Sequence, residues 1–173
     1  MIEVRIHGRG GQGIKKASMI LGRAAYIAGY KTQDFALYGA ERKGAPVVSF
    51  VRFDKNEVNT RGYVFEPDFI IVVDSTIDKE IVNKGKKNNT KIIYNSVNKT
   101  KGVYSIDATD ISIRELNDPL GANIALLGGF VAVAGQISLK HLEEAIRIEL
   151  KKYPKNIIDG NIRSAKRGYE VIK

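Results

Sequence analysis

The strand, turn and helix encoded by residues 2–28, IEVRIHGRGGQGIKKASMILGRAAYIA, decide the fold class. Apolar and polar residues alternate from 2 to 7, which is the pattern of a β-strand. A glycine-rich turn occupies residues 8–13, and residues 14–28 then place apolar and small side chains at helical spacing until Gly29 ends the helix. A strand that turns directly into a helix favours an α/β protein.

The rest of the chain continues this alternation. Further strands are predicted at Thr32–Ala36, Val47–Phe53, Gly62–Phe65, Phe69–Val73, Lys91–Tyr94 and Val103–Ile106, and further helices near Ile111–Leu116, Asn123–Ala134, Leu139–Leu150 and Asn156–Arg167. Ser75 and Asp78 have capping-box spacing for one more helix. We expect 47–53 and 62–65 to form an antiparallel hairpin around a turn at 54–57. The pattern predicts a three-layer α/β/α domain with a mainly parallel sheet and an antiparallel hairpin, in one domain over residues 1–173.

The composition excludes several classes of chemistry. The chain has no cysteine, which excludes disulfides, cysteine-ligated iron–sulfur clusters, zinc fingers and thiol catalysis, and fits a cytoplasmic location. The start MIEVRI lacks the apolar core of a secretory signal. The uncharged stretch 119–139 is long enough for a membrane span, but its glycines and amides favour a buried helix instead.

The net charge of +9 concerns binding partners rather than the fold. Most of the excess lies in residues 79–101 and 151–173, each with seven basic residues. An acidic protein, a phosphorylated cofactor or a solvated lysine-rich surface explains such clusters equally well. Nucleic acid has little support, because the tyrosines are scattered and no RNA-binding aromatic signature is present.

The glycine turn matches the dinucleotide fingerprint GxGxxG at Gly8, Gly10 and Gly13, with Asp34 about where a ribose-binding acid stands. A free-standing nicotinamide or flavin oxidoreductase is therefore one interpretation. Two details count against it. Residues 11–12, Gly-Gln, make the turn more polar and open than the fingerprint needs, and Asp34 lies inside its strand.

Two lysines follow the turn, at positions 15 and 16. Cations in the first turn of a helix oppose the helix dipole, so their presence is explained if an anion binds at that helix end. The alternative is that both lysines are solvated and the turn serves packing only. A second unusual stretch, YGAERKGAP at 38–46, suits an ordered surface loop that contacts another protein, although a solvated turn is nearly as well supported.

Five segments together resemble the gamma subunit of pyruvate:ferredoxin oxidoreductase and its relatives. They are GRGGQG (8–13), YGAERKGAPVVSFVR (38–52), EPDFIIVVD (66–74), GANIALLG (121–128) and NIRSAKRGYE (161–170), and the resemblance covers essentially the whole chain. The chain departs from the family pattern at Lys15 and Lys16, where a small residue and threonine are frequent, and at Ala40, where proline is common. Lys43 replaces a usual second arginine and lacks its bidentate fork.

The resemblance implies one subunit of an enzyme complex. Such complexes oxidatively decarboxylate a 2-oxoacid on thiamine diphosphate with Mg²⁺, transfer electrons through [4Fe-4S] clusters to ferredoxin, and transfer the acyl group to coenzyme A. The resemblance places these cofactors on alpha, beta and delta partner subunits, while the gamma chain packs over the thiamine site and helps bind coenzyme A. Pyruvate is the expected substrate, with branched-chain 2-oxoacids and 2-oxoglutarate as alternatives. A basic interaction module without redox function is a third class. We expect the isolated chain to be inactive.

Two sites follow from the resemblance and the loop chemistry. Residues expected to hold a phosphate of coenzyme A are Gly8, Arg9, Gly10, Gly11, Gln12, Gly13, Lys15 and Lys16. Residues expected at an interface with the thiamine-bearing subunits are Tyr38, Glu41, Arg42, Lys43 and Pro46. We expect no catalytic and no metal-ligating residue on this chain, and we expect His7 and His141 to be hydrogen-bonded structural side chains.

Overall fold

The computed structural model describes residues 1–37 and 44–173, in which six strands form one sheet. The strands are β1 (Ile2–Arg9), β2 (Lys31–Ala36), β3 (Pro46–Asp54), β4 (Phe69–Val72), β5 (Lys91–Asn95) and β6 (Tyr104–Ile106). The helices are α1 (Ile14–Ile27), α2 (Lys79–Asn83), α3 (Ala108–Leu116), α4 (Ala122–Ala134), α5 (Leu139–Glu149) and α6 (Lys155–Ile172), with a 3₁₀ turn at Pro119–Gly121.

The strand order is β2-β3-β1-β4-β5-β6. β1, β4, β5 and β6 are parallel neighbours, and β3 is antiparallel to both β1 and β2, so β3 alone runs against the other strands. The predicted α/β class with a mainly parallel sheet and an antiparallel hairpin is confirmed. That residues 1–173 form a single domain stays a prediction.

The predicted members of the hairpin are wrong. β3 forms its hairpin with the preceding β2, and residues 62–65 are not a strand. The reason is that both hydrogen-bonding edges of β3 are already occupied, one by β1 and the other by β2. Residues 62–65 have no free strand edge there to join.

The two faces of the sheet are covered unequally. One face, which we call the main face, packs its apolar side chains against α1, α4, α5 and α6 in the large core. The other face, which we call the second face, has a small core formed by Ile70, Val72, Ile77, Val82 and Ile92. Its only described helix is the five-residue α2. The layers predicted on the two sides of the sheet therefore differ greatly in thickness.

Helix α2 begins later than predicted. Asp78 is its N-cap and accepts a hydrogen bond from Glu80 N at 2.8 Å, so the predicted start at Ser75 is wrong. The physical reason lies just before the helix. Asp74 accepts hydrogen bonds from both the backbone and the hydroxyl of Thr76, which holds residues 74–76 in a turn.

Buried arginines hold irregular backbone on the second face. Arg52 is 1% exposed, and its guanidinium donates to the carbonyl oxygens of Gly62 and Tyr63, both at 2.8 Å, and to Glu3 Oε1 at 2.7 Å. Arg5 donates in the same way to carbonyl oxygens at the end of α2. These bonds satisfy backbone oxygens that have no strand or helix partner, so coil segments cover part of this face.

Helix α4 is buried on almost every side, which confirms the prediction of a buried, glycine-containing helix at 119–139. Gly128 and Gly168 let α4 and α6 approach closely, because a Cβ at either position would overlap a backbone oxygen of the opposite helix. Within residues 1–37 and 44–173, no helix combines the length and apolar character needed to cross a membrane.

Candidate functional site

The candidate site lies at the carboxyl ends of β1 and β4, where the chain topology reverses. After β1 the chain enters α1 on the main face and continues to β2, whereas after β4 it enters α2 on the second face and continues to β5. The two connections therefore diverge and leave a crevice between them. In open α/β sheets such a switch point is the usual position of a ligand site.

The glycine turn forms one wall of this crevice. Gln12 N donates to Arg9 O at 3.1 Å, and Gly11 and Gly13 have φ angles of +100° and +67°, which favour glycine. A Cβ at Gly8 would overlap the side chain of Ile14. Helix α1 begins at Ile14 with no side-chain cap, so its first amide groups are not satisfied by a capping side chain.

Asp74 connects this turn to the end of β4. Its Oδ2 accepts from Gln12 Nε2 at 2.7 Å, and its Oδ1 accepts from Thr76 N at 2.9 Å and Thr76 Oγ1 at 2.6 Å. Burial raises the pKa of Asp74, but the hydrogen bonds from Thr76 and Gln12 and the charge of Arg9 outweigh burial, so the pKa lies below its ordinary value. Asp74 is therefore ionised at neutral pH.

The Arg9 side chain connects the glycine turn with residue 44 and with residues 74–76. Its Nη2 donates to Thr76 Oγ1 at 2.8 Å, its Nη1 donates to Gly44 O at 3.1 Å, and its Nε lies 3.5 Å from Asp74 Oδ2. Backbone bonds between Gly10 and residues 44–45 reinforce the same junction. The Arg9 side chain is thus held by protein groups.

Asn123 is a site residue that the sequence reasoning missed. Although it is 6% exposed, its Nδ2 donates to both Gln12 O and Gly13 O at 3.0 Å, from the first turn of α4. A Cβ at Gly13 would overlap this amide. The available signal was a lone polar side chain at the start of an otherwise apolar helix, since buried amides are almost always hydrogen-bonded.

A groove of about 290 Å³ opens beside the turn on the main-face side. Gly11, Gly13, Lys16, Asn123 and Tyr153 are among the residues that line it. Lys16 is partly buried and its neighbour Lys15 is exposed. The groove therefore places a cation next to the glycine turn and to the start of α1, which is a suitable arrangement for an anionic group.

Asp34 is not placed to bind a ribose at the glycine turn. It pairs with Val51, which pairs with Val4, so Asp34 is level with a residue five positions before Arg9. At about 3.3 Å per residue, the offset along the strands is about 16 Å. β3 also separates β2 from β1, whereas the dinucleotide fingerprint needs these strands side by side. The GxGxxG match therefore lacks the adjacent strands and the acidic residue that a dinucleotide site requires.

The remaining predicted residues lie as follows. Pro46 is exposed at the start of β3 and pairs with Arg9. Tyr38, Glu41, Arg42 and Lys43 lie outside the described residues. Among the described residues, no group of three or more histidine, aspartate or glutamate side chains is placed to hold a metal ion.

The two histidines differ. His141 Nδ1 accepts from Ser138 N at 3.3 Å in the capping box of α5, which confirms its structural role. His7 is buried in β1, but its Nε2 has no hydrogen-bond partner, so the expectation of a hydrogen-bonded side chain is wrong for that atom. At this buried position on the second face no described polar group lies within hydrogen-bonding distance of Nε2. Burial, and then the positive charge of Arg5, lower the pKa of His7 to about 4.

Comparisons with known proteins agree with the motif resemblance. The family model described as Pyruvate ferredoxin/flavodoxin oxidoreductase matches residues 3–171, and the chain belongs to this family. It is 38% identical to pyruvate synthase subunit PorC of Methanothermobacter thermautotrophicus, over 100% of this chain and 97% of the relative. It is 35% identical to the common subunit gamma of the pyruvate/ketoisovalerate oxidoreductases of Pyrococcus furiosus, over 98% and 96% of the two chains.

A solved structure supports the same assignment. The crystal structure of pyruvate oxidoreductase subunit PORC from Thermotoga maritima superposes with a TM-score of 0.83 at 35% identity, covering 98% of this chain and 95% of the other. Because the coverage is nearly complete on both sides, the similarity extends over the whole subunit and not over a shared fragment. The predicted family is confirmed.

Proposed function

We propose that the chain is the gamma subunit of a cytoplasmic pyruvate:ferredoxin oxidoreductase complex. The complex would convert pyruvate and coenzyme A to acetyl-CoA and CO₂ and transfer two electrons to ferredoxin. The observation that carries the proposal is the end-to-end match to pyruvate synthase subunits, at 38% identity over the whole chain. A chain without cysteine cannot ligate [4Fe-4S] clusters by thiolates, so the clusters belong to other subunits in this proposal.

Thiamine diphosphate and Mg²⁺ would be bound by the alpha and beta subunits, and further clusters by the delta subunit. The choice of 2-oxoacid then rests with those subunits. The Pyrococcus furiosus relative, which is common to pyruvate and ketoisovalerate oxidoreductases, supports this division. A branched-chain 2-oxoacid is therefore the second candidate substrate. The loop 38–46 would contact the thiamine-bearing subunits, with the exposed Pro46 next to the glycine turn.

The glycine turn would hold a phosphate group of coenzyme A. Three features support this part of the proposal: the turn lies at the switch point, α1 begins without a side-chain cap, and Lys16 lines the adjoining groove. Backbone N–H groups and Lys16 are the donors best placed for a ligand in that groove. Arg9 and Gln12 already have partners within the protein, so we propose that both side chains support the turn, with their direct contact to phosphate as the alternative.

The first experiment tests assembly. A tagged copy of the chain, expressed in its native cell, should co-purify with subunits that carry iron–sulfur absorption and thiamine diphosphate. The chain purified alone should be colourless and should not reduce ferredoxin with pyruvate. Turnover or an iron–sulfur spectrum from the chain alone would contradict the proposal, as would a tagged chain that purifies without such partners.

The second experiment tests the coenzyme A site in the assembled complex. Lys16→Ala removes one charge-assisted hydrogen bond of about 1.5 kcal/mol, which corresponds to a roughly tenfold higher KM for coenzyme A. Lys140→Ala is the matched control, because Lys140 is also a lysine in the first turn of a helix but lies in α5. Equal KM values for Lys16→Ala and the control, with normal assembly, would show that Lys16 does not contact the ligand.

A further inference from the structure

The side-chain amide of Gln12 has a hydrogen-bond donor at its oxygen end and a hydrogen-bond acceptor at its nitrogen end. Its Oε1 accepts from Arg9 N at 2.7 Å, and its Nε2 donates to Asp74 Oδ2 at 2.7 Å. A carboxamide has one end that donates and one end that only accepts, so these two partners admit a single orientation. The backbone N–H of Arg9 cannot change its role, and Asp74 is ionised and only accepts.

We infer that Asp74 is a positioning residue, which acts through Gln12 to hold the glycine turn in its ligand-binding shape. The inference rests on the proposed function, since the ligand in question is the phosphate of coenzyme A. Nothing in the family match or in the motif resemblance assigns a role to this residue. No local sequence pattern identifies Asp74 as a partner of Gln12, because the two residues are 62 positions apart.

The surroundings of Asp74 make it a rigid support. Its Oδ1 is held by two hydrogen bonds from Thr76, and Arg9 Nε lies 3.5 Å from its Oδ2. The side chain of Asp74 is 14% exposed, so solvent screens these interactions only in part. Because a carboxylate repels phosphate, we assign Asp74 a supporting role through Gln12 and no direct contact with the ligand.

Asn123 holds the same turn from helix α4. Its Nδ2 donates hydrogen bonds to the carbonyl oxygens of Gln12 and Gly13, so these oxygens point into the protein. The turn is therefore fixed through a side chain by Asp74 and through its backbone by Asn123. A turn fixed by both contacts presents its remaining N–H groups in one geometry, which lowers the ordering cost of binding an anion.

The test is a cycle of substitutions that first breaks and then restores this hydrogen-bond pattern. In Asp74→Asn the new amide can keep an oxygen toward Thr76, but it then points an NH₂ group at the NH₂ group of Gln12. If the Gln12 amide turns over, its oxygen accepts from the new amide, but its NH₂ group then faces the backbone N–H of Arg9. Gln12→Glu alone faces two carboxylates toward each other. The double variant Asp74→Asn/Gln12→Glu restores donor against acceptor at both ends and keeps the net charge of the natural chain.

Two readouts distinguish positioning from general destabilisation. In the assembled complex, Asp74→Asn should raise the KM for coenzyme A about tenfold with little change in kcat, and the double variant should return to within about twofold of the natural complex. In the full chain without coenzyme A, hydrogen exchange of the amides at 8–13 should become faster in Asp74→Asn and recover in the double variant. Asp78→Asn is the matched control, because Asp78 accepts a backbone hydrogen bond at the N-cap of α2.

The outcomes separate the two proposals. An unchanged exchange rate in Asp74→Asn, or a double variant no better than Asp74→Asn, would overturn the positioning role. Direct contact of Gln12 with phosphate predicts no rescue, because Gln12→Glu would then face the phosphate with a carboxylate. Exchange that rises and recovers while the KM for coenzyme A never changes would support positioning by Asp74 and would overturn the proposed coenzyme A site instead.

Discussion

His7 should make the folded chain less stable as the pH falls below neutral. The imidazole is 5% exposed in β1, and burial, followed by the charge of Arg5, lowers its pKa from 6.5 to about 4. In the unfolded chain the same imidazole is solvated and takes up a proton near pH 6.5. Protonation therefore favours the unfolded chain throughout the interval between these two values.

The sign and size follow from proton linkage. Between pH 6.5 and about 4 the unfolded chain binds a proton that the folded chain does not, so the free energy of unfolding falls as the pH falls. Each pH unit in this window corresponds to about 1.4 kcal/mol. The full contribution is about 3 kcal/mol, complete near pH 4, and about 2 kcal/mol of it is lost by pH 5.

The assay is urea denaturation of the isolated chain at several pH values from about 7.5 to 5. His7→Gln removes the titrating group and keeps a polar side chain, so its stability should fall by about 2 kcal/mol less than that of the natural chain over this range. Carboxylates contribute equally to both proteins and cancel in the comparison.

His141→Gln is the control, because glutamine can maintain the capping box of α5 and this histidine lies at the protein surface. Measured at the same pH values, it shows what a histidine-to-glutamine substitution does outside β1. If His7→Gln and the natural chain lose stability in parallel between pH 7 and 5, the buried imidazole does not resist protonation and the reasoning fails.

Three further substitutions test the packing, each by urea denaturation. Gly128→Ala should destabilise the chain by about 1–3 kcal/mol, because its Cβ would overlap Ala165 O, and a gain in stability from helix propensity would contradict the close contact of α4 and α6. Arg52→Ala should cost about 3–5 kcal/mol, because it leaves Glu3 and two carbonyl oxygens unpaired, and a loss below about 1 kcal/mol would show that water replaces the guanidinium. Asn123→Leu should cost about 1–3 kcal/mol by leaving two oxygens of the glycine turn unpaired, whereas unchanged stability would indicate that the turn finds other donors.

Most elements could be predicted because their signals are local. The predicted strands at 32–36, 47–53 and 91–94 and the predicted helix at 123–134 agree with β2, β3, β5 and α4 to within two residues at each end. Alternation and helical spacing reflect which side of an element is buried, and a window of a few residues contains that information.

The errors came from features that involve distant residues. The hairpin partner of β3 depends on which strands reach its edges first, and nothing within 62–65 shows that both edges are taken. By its distance along the chain from the glycine turn, Asp34 stood about where a ribose-binding acid would lie, although its position inside a strand already counted against that interpretation. The insertion of β3 between β1 and β2 removes that relation, and only the strand order reveals it.

The candidate site shows the same division. The glycine turn and the lysines after it were visible in the sequence, because glycines at positive φ and cations at a helix start are local signals. The supports of the turn were not visible. Asp74 and Asn123 reach Gln12 across 62 and 111 residues, and no pattern within either segment specifies that contact.

By itself, the sequence determined the α/β class, the absence of cysteine-based cofactors on this chain and the position of the glycine turn between β1 and α1. Backbone preferences and the periodicity of apolar residues are properties of short segments, so they are present before the chain folds. The tertiary structure alone decided the strand order, the burial of His7 and the network that holds Arg9 and Gln12. These features arise when β4 and α4 pack beside β1, because the energy of such contacts depends on distances between segments and not on the composition of either one.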